Sequence, residues 1–232
     1  MGRNPIRFAL DLAAQPSCAL CGRAMEPLGS PPWPLCPSCG LSLEPLALPR
    51  CAGCGQALIS EIGRCARCKG RTWSFDESLP LFPYGGPMGR ILAEYKARGR
   101  RSLAPFLAGF LAAAIAERWP GRPVVPVPPR PGKLRDKGWD QVELVASELE
   151  RLGCGVQRPL RRISGSEQKR LGRAERSANA SASYALVPGA RPPARLVLLD
   201  DVATTFATAE ACAAALRAGG AESVAFLSLA WD

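Results

Sequence analysis

The chain has 232 residues, 47% of them hydrophobic and 22% charged, enough for one α/β domain plus a small appendage. Histidine is absent, which removes Ser-His-Asp and Cys-His catalysis and every His-containing metal site at once. The formal net charge of +10 favours polyanionic partners, nucleic acid or a phosphate-rich substrate, and equally describes a basic solvated surface.

The first residues hold no secretory pattern: the apolar stretch 6–14 is short and carries Arg7 and Asp11. The longest apolar run, residues 103–116, is interrupted by Pro105 and Gly109 and is too short to span a bilayer. The expectation is a cytoplasmic protein without a membrane span.

Four Cys-x2-Cys pairs come next: Cys18 with Cys21, Cys36 with Cys39, Cys51 with Cys54, and Cys65 with Cys68. Each pair can form a tight knuckle that points two thiolates at one metal. Cys21, Cys39 and Cys54 are each followed by glycine, which tolerates the left-handed turn of such a knuckle. Two pairs complete a tetrahedral zinc site. Paired in order, they leave spacers of 14 and 10 residues and predict two consecutive zinc ribbons holding about two structural zinc ions. An interleaved pairing satisfies the same composition. A disulfide scaffold fits a secreted chain, and redox pairs usually come singly on a strand–helix unit, so metal binding is the preferred reading. Cys154 and Cys212 stand alone and read as core thiols.

Residues 69–78 read as a polar connector, separating a ribbon segment (residues 1–72) from a second domain (residues 73–232). Residues 79–84 suit an edge strand, because Pro80 and Pro83 argue against a central one. A helix over 88–98 puts Ile91, Leu92 and Tyr95 on one face, with Lys96, Arg98, Arg100 and Arg101 on or after it. A second, largely buried helix covers 103–119, and 124–128 reads as a strand entering a Pro/Arg loop. Over 140–152 an amphipathic helix places Val142, Val145, Leu149 and Leu152 toward the core, with Leu144 widening the stripe. Residues 158–184 are polar and strongly basic, which by itself describes a solvated loop. Trp33, Trp73, Trp119 and Trp139 read as packing anchors rather than base-stacking surfaces.

The most informative stretch is 195–220. An apolar run ends in Asp200 and Asp201, passes through Thr204, Thr205, Phe206, Ala207 and Thr208, and enters an alanine-rich helix closing at Gly219-Gly220. This reads as a buried parallel strand, a phosphate-binding turn and a helix N-terminus. Paired acids beside that turn can meet sugar hydroxyls or a hard cation. A final strand covers 223–229, and strands alternating with helices call for a parallel sheet flanked by helices.

The 200–208 segment resembles the phosphoribosyl-pyrophosphate (PRPP) signature of type I phosphoribosyltransferases. Three further features are similar to the ComF-type competence family. They are Val125-Pro-Val-Pro128 followed by Lys137-Gly-Trp-Asp-Gln141; Gln168-x2-Leu171-Gly-Arg173-x2-Arg176-x2-Asn179; and the cysteine-rich N-terminus, like that family's double zinc ribbon. The resemblance implies a type I phosphoribosyltransferase-like domain behind a double zinc ribbon, acting on PRPP with magnesium and displacing pyrophosphate with a nucleophile it does not identify. By the same resemblance Asp200 and Asp201 face the ribose hydroxyls and the magnesium shell. Residues 204–208 hold the 5′-phosphate, Pro128, Pro129 and Arg130 form the pyrophosphate loop, and the basic stretch with Arg173 closes over the site.

Two positions depart from the family pattern. Phe206 stands where the family has glycine, so either the phosphate is held loosely or the side chain points away and the loop is intact. Asp140 replaces a usual asparagine and brings a negative charge near the pyrophosphate loop. A different class of function, also implied by the resemblance, is a non-catalytic competence factor. It would bind single-stranded DNA through the ribbons and basic surface, alongside DNA-uptake proteins.

Overall fold

The computed structural model describes residues 17–25, 34–129, 138–163 and 183–232. Its centre is a parallel four-stranded sheet in the order β1-β6-β5-β2, built from β1 (Glu77–Pro83), β2 (Val124–Pro126), β5 (Arg195–Ala203) and β6 (Ser223–Trp231). A separate antiparallel pair joins β3 (Leu160–Arg162) to β4 (Tyr184–Leu186). The helices are α1 (Pro37–Leu41), α2 (Pro87–Lys96), α3 (Ala104–Arg118), α4 (Gln141–Arg151) and α5 (Ala207–Ala218).

Both faces of the sheet are covered, so its inner strands are apolar at successive positions rather than alternating. Val197, Leu199, Ala225, Leu227 and Leu229 pack under α2, α3 and α4, together with Cys18 and Cys36. Leu196, Leu198, Val224 and Phe226 face the other way, toward α5, Phe75, Phe206 and the cysteines of 51–68. The two cysteine clusters therefore belong to opposite faces of one sheet.

Strand β1 is the edge that its prolines predict, and the cysteine-rich segment covers it. Leu46 N–H donates to the Leu81 carbonyl (2.9 Å), and the Arg50 guanidinium donates to the Pro80 carbonyl (2.7 Å). A β-carbon on Gly55 would lie 2.3 Å from the Ser78 carbonyl oxygen, so only glycine permits this approach. Residues 69–78 are more than a polar connector: Trp73 stacks on Phe75 at 5.2 Å, and Phe75 is buried against Phe226.

The helical stripes follow the sequence in most positions. Met88, Ile91, Leu92 and Tyr95 of α2 are buried, as are Val142, Val145 and Leu149 of α4. Leu152 is the exception; it caps α4 and is 56% exposed, one residue past the last helical turn. Asp140 is buried as the N-cap of α4, its Oδ1 accepting from Val142 N–H (2.9 Å) and Glu143 N–H (3.0 Å). Such a cap contributes about 1 kcal/mol. Asp140 thus supplies the acceptor that a helix start needs.

The basic stretch beginning at Arg158 is not loop throughout, since Leu160–Arg162 pairs with Tyr184–Leu186. Of the ten cysteines, Cys212 is fully buried on α5 and Cys154 is partly buried against the α3/α4 core. Trp119 is a buried anchor whose Nε1–H donates to Glu77 Oε1 (2.7 Å), and Trp139 packs edge-on against Tyr95. Trp33 lies outside the described residues. No helix among them is long and apolar enough to cross a membrane.

Candidate functional site

Two groups of four cysteines form in sequence order, Cys18/Cys21/Cys36/Cys39 and Cys51/Cys54/Cys65/Cys68, with all four sulfurs of each group within 4.8 Å of one another. Sulfurs about 2.3 Å from a tetrahedral zinc stand about 3.8 Å apart. Cys21 and Cys36 are separated by 3.8 Å, as are Cys54 and Cys65. Backbone N–H groups of Gly53 and Cys65 point at Cys51 Sγ (3.4 and 3.3 Å), the outer-shell donors that thiolates require. Burial works to raise the Cys51 thiol, but these amides and that of Cys54 bring it down to about 6. Burial pushes Cys54 well up, with the Cys51 charge adding to it. Four such sulfurs ionise together only around a cation, so both sets fit zinc. Gly22 and Gly55 adopt positive φ (73° and 72°) after their knuckles, whereas Gly40 lies in α1 and needs no such turn.

The second centre is built at the carboxyl ends of β2 and β5. Strand β5 runs past the two acids to Ala203, because Val202 and Ala203 pair with Ala230 and Trp231. Asp200 and Asp201 therefore sit within the strand and alternate across it. Asp200 lines a cavity of about 440 Å³ with Pro128, Pro129, Asp140, Gln141, Arg162, Tyr184 and Thr208. Asp201 points elsewhere and pairs with Lys96 of α2, Nζ to Oδ2 at 3.0 Å. Burial pushes the Asp200 carboxyl up to about 8, and the Asp201 charge adds to this; the Asp201 N–H (2.8 Å from Asp200 Oδ1) and Lys96 oppose it. A half-buried carboxyl on the cavity wall beside a second carboxylate is a fitting partner for a magnesium ion or for sugar hydroxyls.

After Ala203 the chain turns through exposed Thr204 and Thr205 into α5. Phe206 is the N-cap of that helix at φ 62°, ψ 6°, the one non-glycine residue with positive φ among those described. Its ring is buried against Trp73 (5.6 Å), Phe75 (5.8 Å) and Phe226 (5.7 Å). The aromatic side chain thus points away from the loop surface while the backbone takes the left-handed conformation natural to glycine. A left-handed aromatic costs about 1–3 kcal/mol, and burying its ring contributes about 1.5–3 kcal/mol. Packing is large enough to hold the strain. The first amides of α5 stay without intrahelical partners, as at any helix start.

Of the residues singled out in the sequence, the cavity brings together Asp200, Thr208, Pro128, Pro129 and Asp140, with Gln141 beside it. Asp201, Thr204, Thr205, Phe206 and Ala207 flank it without lining it. Arg130, Lys137 and residues 168–179, including Arg173, lie outside the described residues. Two wall residues were not singled out by the sequence reading. Arg162 donates to the Tyr184 hydroxyl (3.1 Å) with its guanidinium over the Tyr184 ring, and both line the cavity with Thr208. Their three-residue strands are too short to show a period-2 pattern.

No family model matches the chain, and no curated protein matches it. Among solved structures, the glutamine phosphoribosylpyrophosphate (PRPP) amidotransferase from B. subtilis, complexed with ADP and GMP, is 19% identical with a TM-score of 0.40, over 56% of this chain and 26% of that one. A hypoxanthine phosphoribosyltransferase from Staphylococcus aureus is 11% identical with a TM-score of 0.32, over 55% of this chain and 62% of that one. The chain thus aligns with about a quarter of the first and under two thirds of the second.

Proposed function

We propose that the chain binds PRPP as a phosphoribosyltransferase-like protein and displaces pyrophosphate from it with a nucleophile still to be identified. The observation that carries this reading is the open loop. Phe206 supplies a glycine-like backbone turn with its ring tucked under, beside a cavity where Asp200, Thr208 and Arg162 converge. In this reading the amides of residues 205–208 and the Thr208 hydroxyl hold the 5′-phosphate. Asp200 accepts from ribose hydroxyls, and Pro128 and Pro129 shape the seat of the departing pyrophosphate.

Departure of pyrophosphate builds positive charge on the ribose ring and negative charge on the leaving group. Asp200 stabilises the first through the sugar, and Arg162, held on Tyr184, brings positive charge to the same cavity. Magnesium bound with PRPP would supply charge neutralisation to the leaving group, with Asp200 the residue placed to hold it. The narrower assignment, to a cytoplasmic ComF-type protein of DNA uptake, is supported by the sequence resemblance.

PRPP with magnesium should raise the melting temperature of the zinc-loaded chain by mass action. Asp200→Ala together with Asp201→Ala should abolish that rise. No shift in the wild-type chain at millimolar PRPP overturns the reading.

A further inference from the structure

We propose that Trp73 is a positioning residue through which the second four-cysteine cluster holds the Thr204–Thr208 loop in its anion-binding shape, so that metal occupancy of that cluster sets the pocket's affinity for a phosphate ester. The inference rests on the phosphate-loop reading above and adds to it a named mechanical connection.

Within residues 204–208 a long hydrogen bond from Ala207 N–H to Thr205 Oγ1 (3.4 Å) spans Phe206, a weak brace for an aromatic residue at φ 62°. The stronger restraint comes from outside the loop. Trp73 and Phe75 stack on each other and both contact the Phe206 ring, on a segment only five residues past Cys68. The Trp73 indole N–H is buried with no hydrogen-bond partner among the described residues, and it borders Gly53 together with the Cys68 sulfur. A β-carbon on Gly53 would stand 3.0 Å from Cys68 Sγ and 3.5 Å from Trp73 Nε1, so glycine leaves the gap in which sulfur and indole meet.

A second grip comes from inside the knuckle itself. Arg67, between Cys65 and Cys68, donates to the Thr204 carbonyl (3.3 Å) while its guanidinium lies over the Trp231 ring. Ser74 then pins the helix that follows the loop, its N–H and hydroxyl donating to the two Glu210 oxygens (2.8 and 2.7 Å). Thr204, Phe206 and Glu210 are thus all held from residues 67–75.

The geometry of that knuckle depends on its metal, because four close thiolates do not stay together without one. Losing it frees Trp73 and Arg67, lets Phe206 leave the left-handed region, and swings the following amides away from the anion's seat. The first cluster gives an internal control. Cys18 and Cys36 pack with α2 and α3 on the other face of the sheet and do not reach the loop.

The test uses the full zinc-loaded chain and four variants: Trp73→Leu, Trp73→Phe, Cys51→Ser and Cys21→Ser. Two quantities are read: ribose 5-phosphate affinity by calorimetry, and amide hydrogen exchange at residues 205–208 without ligand. Trp73→Leu and Cys51→Ser should each lose about tenfold or more in affinity and exchange faster at these amides. Trp73→Phe should recover most of both, and Cys21→Ser should leave both unchanged. Wild-type affinity and exchange in a folded Trp73→Leu chain overturn the proposal, as does equal loss on Cys21→Ser. A wild-type chain that binds no ribose 5-phosphate overturns the pocket reading instead, and the exchange rates then decide the clamp by themselves.

Discussion

Lys96 Nζ stands 3.0 Å from Asp201 Oδ2, tying the last turn of α2 to the acid pair of β5. Both side chains are mostly shielded, at 27% and 11% exposure, so the pair is worth more than a surface ion pair. Lys96→Met should destabilise the chain by about 1–2 kcal/mol at pH 7 in urea unfolding. In a double-mutant cycle with Asp201→Asn, most of that loss should vanish. Additive losses would show that the contact carries no energy.

Asp200 gives the fold a pH signature. Unfolded, its carboxyl releases a proton near pH 4; in the fold, burial and the Asp201 charge move this up to about 8. Between those values the folded state binds the extra proton, so stability is lost as pH rises from about 4 through 8. Asp200→Asn cannot ionise. Its melting temperature should pull ahead of the wild type progressively from pH 5 to pH 8.5, and a constant gap across that range would contradict the assignment.

Phe206 combines a backbone conformation that favours glycine with a ring that the core needs. Phe206→Ala should cost about 3–5 kcal/mol, having lost the ring while keeping the strain. Phe206→Gly should cost about 1 kcal/mol less, because glycine takes the left-handed turn freely. The order is what matters: glycine worse than alanine here would mean the residue is not left-handed in solution.

The cysteine clusters predict about two zinc ions per chain by metal analysis. Cys51→Ser should lower the count by about one and reduce thermal stability, since the buried cluster packs directly on Phe75 and the α5 core. A wild-type chain purified without chelator and free of zinc would remove both centres.

Much of this was legible locally. The Cys-x2-Cys pairs pointed to metal binding but left sequential and interleaved pairing open until the structure grouped them in sequence order, and the apolar positions of α2 and α4 repeat at helical spacing. Asp140-x-x-Glu143 also carried a helix-start signal, with an acid three residues before a Glu and an apolar stripe behind. What stayed hidden depends on distant residues. The direction of the Phe206 ring is decided by Trp73 and Phe75, more than 130 positions earlier in the chain. Strand β5 continues past Asp201 because β6 offers Ala230 and Trp231 as partners, and nothing in the 200–203 segment announces this. The β3–β4 pair joins two three-residue strands, one with two arginines, and its pairing is visible only in three dimensions.

Calorimetric titration of the zinc-loaded chain with PRPP and magnesium, followed by competition with ribose 5-phosphate and with ribose, tests the phosphate-loop account most directly. The account predicts one saturable site from which ribose 5-phosphate displaces PRPP and plain ribose does not. Binding that ribose competes for equally well, or no binding of PRPP at all, would contradict it.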